Sequence, residues 1–395
     1  MDSWRLSWII RGAGLLVLLT VVGCQPQLVP IEVTRVVNAG VVEIEEIPVT
    51  RVITEEVTRV VTEEVTRIVP EEIIIEVTKV PLGTEIRPIQ LLFPPTVSAA
   101  VITARIQPLV VALEAATGQS FEVGVADSAT TAVSLLCGAP QDTIAVLAAQ
   151  DAVLAAGQCE AVVGQVAVAR DSYTWQLGMA VTRRDSGLRS LEDLAGKRWA
   201  VADMTNLASF RYFQAKFAEL GIEPGEVVIV PGDSEAMLAV YRGEVDFATG
   251  NFTPPILPYD ERQWVYGEDD PEIWWRFGRS PERSPIGYVV AGTDPDFGGY
   301  QIRDARARVF DTNEAIFDET RIVALSEPVP NDTIVYGAEF PLGLARQITT
   351  VLEAFVLSET CNSSLCSTDF YGWVGLETAI TADYDAIQYV LDAGK

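Results

Sequence analysis

The sequence predicts an α/β fold made of two similar modules, and three observations carry the prediction. From residue 88 onward short apolar runs alternate with helix-length stretches, the alternation restarts near residue 190, and glycines or proline-rich breaks separate the elements. Strands separated by single helices form βαβ units, so each module is expected to hold a mainly parallel sheet covered on both faces. With 395 residues, 49% hydrophobic and 21% charged, the chain has enough apolar surface for two cores.

The first strand is expected at 88–93 (Pro-Ile-Gln-Leu-Leu-Phe), ended by Pro94-Pro95, and a helix capped by Ser98 runs from there to Gly118. Residues 121–125 form the second strand, Asp127-Ser128 open the next helix, and 143–148 form the third strand. Two more strands follow at 165–169 and 176–182. In the second module Ser190-Leu191-Glu192-Asp193 starts a short helix stopped by Gly196, and 197–202 is a strand. Leu207, Phe210, Phe213, Phe217 and Leu220 fall on one helical stripe that closes at Gly221. Strands at 227–230 and 245–248 flank a helix that begins at Asp233-Ser234 and ends at Gly243. After a strand at 321–325, the run Glu327-Pro328-Val329-Pro330-Asn331-Asp332 suits neither a helix nor a central strand and is expected to cross between modules. Helices at 341–357 and 382–393 return to the first.

Composition narrows the function. With 55 acidic and 28 basic side chains the formal net charge is −27, which repels phosphate backbones and argues against a nucleic-acid partner. The chain contains no histidine, so Ser-His-Asp and Cys-His nucleophiles, His-ligated zinc and imidazole acid/base catalysis are all excluded. Phosphate-loop, nucleophile-elbow and dinucleotide motifs are absent, and Asp294, Asp296 and Gly298 miss the spacing of a calcium loop. Neither an enzyme nor a metal or cofactor site is expected.

At the N-terminus, Arg5 and Arg11 flank an apolar run at 12–23 that is too short for a membrane span, which needs roughly 20 apolar residues. It reads as a signal peptide over 1–23, with Cys24 placed like a lipoprotein's lipidated first residue. That anchors the chain to the membrane by lipid and places the body outside the cytoplasm. Residues 24–87 form an extended, β-prone stalk: Val-Thr-Arg recurs every eight residues at 49–51, 57–59 and 65–67, with Glu-Glu pairs between. A partner-binding strand is the other reading of this repeat. Four cysteines remain beyond Cys24, and of their three possible pairings Cys137 with Cys159 and Cys361 with Cys366 are favoured by nearness in sequence; four free buried thiols are the alternative.

Five segments carry a family likeness: Arg105-Ile106-Gln107-Pro108-Leu109, SLEDLAGKRWAVAD from Ser190, GDSEAMLAVYRGEVD from Gly232, SEPVPND from Ser326 and TADYDAIQYVLDAG from Thr381. In that order they resemble the phosphate/phosphite/phosphonate substrate-binding family of ABC transporters. The resemblance implies the type 2 periplasmic-binding fold, two α/β lobes closing over a small-molecule solute that is passed to an ABC transporter permease. The chain then divides into a first lobe at 88–180 plus 328–395 and a second at 181–327, the latter with an aromatic-rich insertion at about 252–300 that is unlike the family, and a monomer is expected. A lipid-anchored sensory or structural protein on the same fold is the alternative. Where the family has a Ser/Thr-Ser-Gly run at a helix N-terminus for phosphonate oxygens, this chain has Asn206-Leu207-Ala208-Ser209, and Ser234 stands where a histidine is usual. The anion site is therefore expected to be altered.

Ligands of such sheets bind at strand ends and helix starts. The candidate ligand-binding residues there are Thr96, Asp127, Ser128, Gln150, Asn206, Ser209 and Asn251, with Tyr173, Trp175 and Asn331 at the crossings. Thr96, Asp127, Ser128 and Ser209 are equally suited to helix capping, and Tyr173 and Trp175 to core packing. The insertion's aromatics either pack among themselves or reach the cleft.

Overall fold

The structure, a computed structural model, describes residues 80–260, 262–292 and 299–394. The signal peptide, Cys24 and the stalk up to residue 79 lie outside these residues. Residues 80–87, assigned to the stalk by sequence, pack on the body. Arg87 is paired with Asp142, Ser120 N–H donates to Gly83 O at 2.7 Å, and Leu82 joins the first core.

In chain order the strands are β1 (Ile89–Phe93), β2 (Phe121–Val125), β3 (Thr143–Leu147), β4 (Val162–Val168), β5 (Trp175–Arg183), β6 (Trp199–Val201), β7 (Val227–Ile229), β8 (Phe247–Phe252), β9 (Glu282–Arg283), β10 (Val289–Ala291), β11 (Tyr300–Ile302), β12 (Thr320–Leu325), β13 (Val329–Pro330), β14 (Thr333–Tyr336) and β15 (Gly375–Thr378). The helices are α1 (Ala99–Thr117), α2 (Ala129–Gly138), α3 (Ala149–Cys159), α4 (Tyr212–Leu220), α5 (Asp233–Tyr241), α6 (Ile316–Glu319), α7 (Leu342–Val356) and α8 (Asp385–Ala393). A π-helical turn, Leu207–Arg211, leads into α4.

The first sheet has the order β15-β4-β14-β3-β1-β2. Alternation along its strands divides it between two cores. Ile89, Leu91 and Phe93 of β1 meet α1 and α7 on one face, whereas Leu92 meets α2 and α3 on the other. Gly118, at φ +67°, ends α1 in the left-handed conformation that glycine adopts without strain. Disulfides join Cys137 to Cys159, at the ends of α2 and α3, and Cys361 to Cys366.

The second sheet has the order β12-β5-β8-β6-β7, with β13 paired to β5. Leu177, Met179 and Val181 of β5 face a core shared with α5, and Ala180 faces one shared with α4. β5 lies wholly in this sheet, so the first crossing falls at 169–174 rather than near residue 180.

Three expectations are corrected. Neither sheet is mainly parallel: β14 enters the first sheet antiparallel between β3 and β4, β15 pairs antiparallel with β4, and β5 runs against both β8 and β12. Of these reversed strands, β5 and β14 directly follow the crossings, where the chain re-enters a sheet from the other lobe, whereas β15 follows α7 within the first lobe. Ser98 precedes α1 without a side-chain capping bond. Helix α8 packs on both lobes, with Ile387 in a first-lobe core and Val390 in a second-lobe core.

The aromatic insertion carries the small sheet β11-β10-β9 and extends the second lobe's core. Trp264 and Trp274 are fully buried there, with the Trp264 ring 5.5 Å from Phe252 and the Trp274 ring 5.5 Å from Phe317.

Candidate functional site

The two crossing segments are bonded to each other. Asn331 Nδ2 donates to Ala167 O at 3.1 Å and to Tyr173 O at 2.9 Å, and its backbone N–H donates to Thr174 O. Ser326 and Gly178 exchange two bonds, Gly178 N–H to Ser326 Oγ and Ser326 N–H to Gly178 O, both 2.8 Å. Asn331 thus spends its amide protons on holding the crossings together.

Val166 and Ala167, successive residues of β4, line two different cavities, which lie on opposite faces of that strand. The larger, about 510 Å³, is bounded by Trp175, Thr174, Tyr266, Glu327 and the start of α8. Tyr266 comes from the insertion, so one of its aromatics does reach the junction of the lobes. Tyr173 does not face this cavity: its hydroxyl donates to Trp264 O at 3.1 Å, and its buried ring lies 4.4 Å from Trp175.

The smaller cavity, about 270 Å³, lies where the lobes meet. Ala148 and Ala149 at the start of α3, Asn331 and Asp332 from the second crossing, Leu207 from the second lobe, and Tyr371 and Trp373 from the segment before β15 bound it. Ala148 caps α3 without a side-chain acceptor, so the first amides of that helix have no partner within it. Burial pushes the Asp332 carboxyl up to about 6, opposed by the nearby Trp373 ring N–H. Burial, then the Asp332 charge, pushes the Tyr371 hydroxyl above its usual range.

The second lobe's helix start is closed on itself. Asn206 Oδ1 accepts from Ser209 N–H at 2.8 Å, and Asn206 Nδ2 donates to Asn251 Oδ1 at 3.4 Å. Asn251 in turn donates both its backbone and side-chain N–H to Asp233 Oδ2, each at 2.9 Å. Asn206, Ser209 and Asn251 are thus brought together, but in a network that uses its own donors. Leu207, the next residue, packs against first-lobe residues.

The remaining candidates line neither cavity. Ser128 caps α2, accepting from Thr131 N–H at 3.1 Å. Thr96 and Asp127 are exposed, and Gln150 sits half-buried in the first turn of α3. Sequence reasoning missed Asp332, Tyr371 and Trp373. Asp332 stands inside the quoted SEPVPND run, and Phe370-Tyr371-Gly372-Trp373 is an aromatic cluster on an aperiodic stretch; composition alone marks it.

A family model described as the periplasmic substrate-binding protein of phosphonate ABC transporters matches residues 91–384. The chain belongs to this family. Solved structures similar to it include a Xanthomonas citri protein bound to chloride ion, 12% identical, covering 77% of this chain and 96% of that one with a TM-score of 0.47. A binding-protein component of an ABC phosphonate transporter from Pseudomonas aeruginosa is 12% identical, with coverages of 80% and 87% and a TM-score of 0.41. A Prochlorococcus marinus protein in complex with methylphosphonate is 11% identical, with coverages of 76% and 96% and a TM-score of 0.39. No curated protein matches the chain. As a phosphonate-type substrate-binding protein it has the two-lobed periplasmic-binding fold. The family consists of extracytoplasmic proteins that bind small solutes and interact with a permease, and they are not enzymes.

Proposed function

We propose that this protein is a monomeric solute-binding protein, anchored to the membrane by lipid on Cys24, that captures a small solute between its lobes for an ABC importer through an anion site different from the family's usual one. The observation that carries the altered site is the self-satisfied helix start. The amide protons of Ser209 and Asn251 already have acceptors, and one of those acceptors is a carboxylate of Asp233. A phosphonate placed there would displace Asn206 and face a like charge. Each charge-assisted hydrogen bond contributes about 1.5–3 kcal/mol, so the loss of two weakens binding by roughly two to four powers of ten.

The expected result of a thermal-shift panel is that methylphosphonate, phosphite and phosphate leave the melting temperature unchanged at concentrations where a genuine solute raises it. A ligand at 100 times its dissociation constant adds about 2.7 kcal/mol, which such a panel reads easily. Submicromolar phosphonate binding by calorimetry would return the protein to the family's usual specificity. The crossings at 169–174 and around Ser326–Asn331 support a hinge there, in accord with the closure of two-lobed folds on solute.

For the anchor, Cys24→Ala is expected to move the protein from the membrane pellet to the supernatant while the melting temperature of the body stays the same. Pelleting of the variant after a salt wash would show that another surface holds the membrane.

A further inference from the structure

Two buried hydrogen-bond donors line the smaller cavity and complete no hydrogen bond: the Tyr371 hydroxyl and the ring N–H of Trp373, a residue only 2% exposed. The Trp373 N–H is near enough to Asp332 to lower its pKa and the Tyr371 hydroxyl is similarly near Thr96, yet neither pair reaches bonding geometry. Buried donors without acceptors are rare, since each forfeits the hydrogen bonds it had in water. Both residues line the same cavity as the uncapped start of α3, an 11-residue helix, and the two rings lie 5.3 Å apart. The same wall carries the Asp332 carboxyl, whose backbone is held by a 2.9 Å bond from Ala167 N–H to Asp332 O. Residues that carry donors for an oxyanion and an acceptor for a cation thus line one cavity.

We propose that this cavity binds a small zwitterionic carboxylate, with its carboxylate on Tyr371 Oη–H, Trp373 Nε1–H and the open amides of α3, and its ammonium on Asp332. The inference rests on the solute-binding reading above and names the solute class. No Lys or Arg lines the cavity among the described residues, so a dianionic phosphonate would meet neutral donors and one carboxylate. A zwitterion carries its own counter-charge and costs less to desolvate. At about 30 Å³ per water-sized group, 270 Å³ holds about nine heavy atoms, the size of a small amino acid. Leu207, Val329 and Pro330 supply an apolar wall for a short aliphatic body.

The test is calorimetry on the full chain with L-alanine, β-alanine and L-proline, against propionate, propylammonium and 2-aminoethylphosphonate. At least one zwitterionic carboxylate is expected to bind tenfold or more tighter than all three controls. Tyr371→Phe is expected to weaken it about tenfold without lowering the melting temperature, because the hydroxyl it removes bonds to no other group of the protein. Trp373→Phe is expected to act in the same direction, and Asp332→Asn to erase the preference over propionate. Affinity should also fall about tenfold between pH 7 and pH 5, because a carboxyl titrating near 6 is mostly ionised at the first and mostly protonated at the second. The other titratable group on the cavity wall, Tyr371, stays protonated throughout this range. Equal binding of propionate, propylammonium or the aminophosphonate overturns the proposal, as does unchanged affinity in Tyr371→Phe. Failure of every zwitterionic carboxylate to bind also overturns it; a shift by some other solute would then leave the solute-binding reading standing alone.

Discussion

Arg306→Ala is expected to lose about 3–5 kcal/mol of stability, the cost of leaving buried charges without their partner. Arg306 is 0% exposed and sits at the centre of a four-charge cluster. Its Nη2 donates to Asp304 Oδ2 at 2.9 Å and its Nη1 to Glu272 Oε1 at 2.7 Å, while Glu272 Oε2 accepts from Arg184 at 3.0 Å. Burial alone would disfavour the guanidinium charge, but Asp304 and then Glu272 outweigh it and hold the charge firmly. Two cations and two carboxylates cancel; without Arg306, two carboxylates share one cation. The guanidinium also lies 4.8 Å from the centre of the Phe317 ring, and truncation to alanine removes that packing as well. Urea unfolding followed by tryptophan fluorescence would measure the loss. Restoring neutrality with Arg306→Met and Asp304→Asn together, which leaves the Arg184–Glu272 pair intact, should recover most of it, and a loss under about 1 kcal/mol in the single variant would refute the account.

Gly178→Ala carries the second large effect. A Cβ built on Gly178 would stand 2.0 Å from Ala208 O, 2.5 Å from Ala208 C and 2.9 Å from Ser209 Cα. All three are backbone atoms of the π-helical turn, so no side chain can rotate away and the turn itself has to move. Overpacking costs about 1–3 kcal/mol, and more where the neighbours are rigid, so the upper end of that range is expected. The damage would not stay local: Ala208 is buried among first-lobe residues, and Leu207 forms part of the cavity wall. Both the melting temperature and solute affinity should fall together. An unchanged melting temperature would show that the turn yields freely.

Much of the fold was legible because it rests on local patterns. The alternation Ile89, Leu91, Phe93 marks a strand, and Gly118 and Gly221 end helices in the left-handed conformation that few other residues tolerate. Strand direction was not legible, since the apolar run of β14 reads the same whether it enters the sheet parallel or antiparallel. The site was read in part for a different reason. Asn206, Ser209 and Asn251 sit at strand ends and helix starts as expected, yet side chains that can hold a ligand oxygen can equally satisfy one another. Tyr371 and Trp373 escaped because they lie on an aperiodic stretch and reach the cavity through long-range folding. Asp332 stands in a crossing whose prolines mark only its backbone, and no sequence pattern sets its carboxyl apart from a solvated one.

Helix α8 bears on how the molecule can open. Ile387 is seated in one lobe and Val390 in the other, less than one helical turn apart, and Tyr389 Oη donates to Glu219 on α4 at 2.6 Å. A short rod gripped by both bodies does not let them slide apart along its flank. It leaves them a swivel about the rod, with the far rim of the cleft sweeping the widest arc, or a peeling of the last turn from its seat. Helix α8 is therefore placed as the pin of such a jaw.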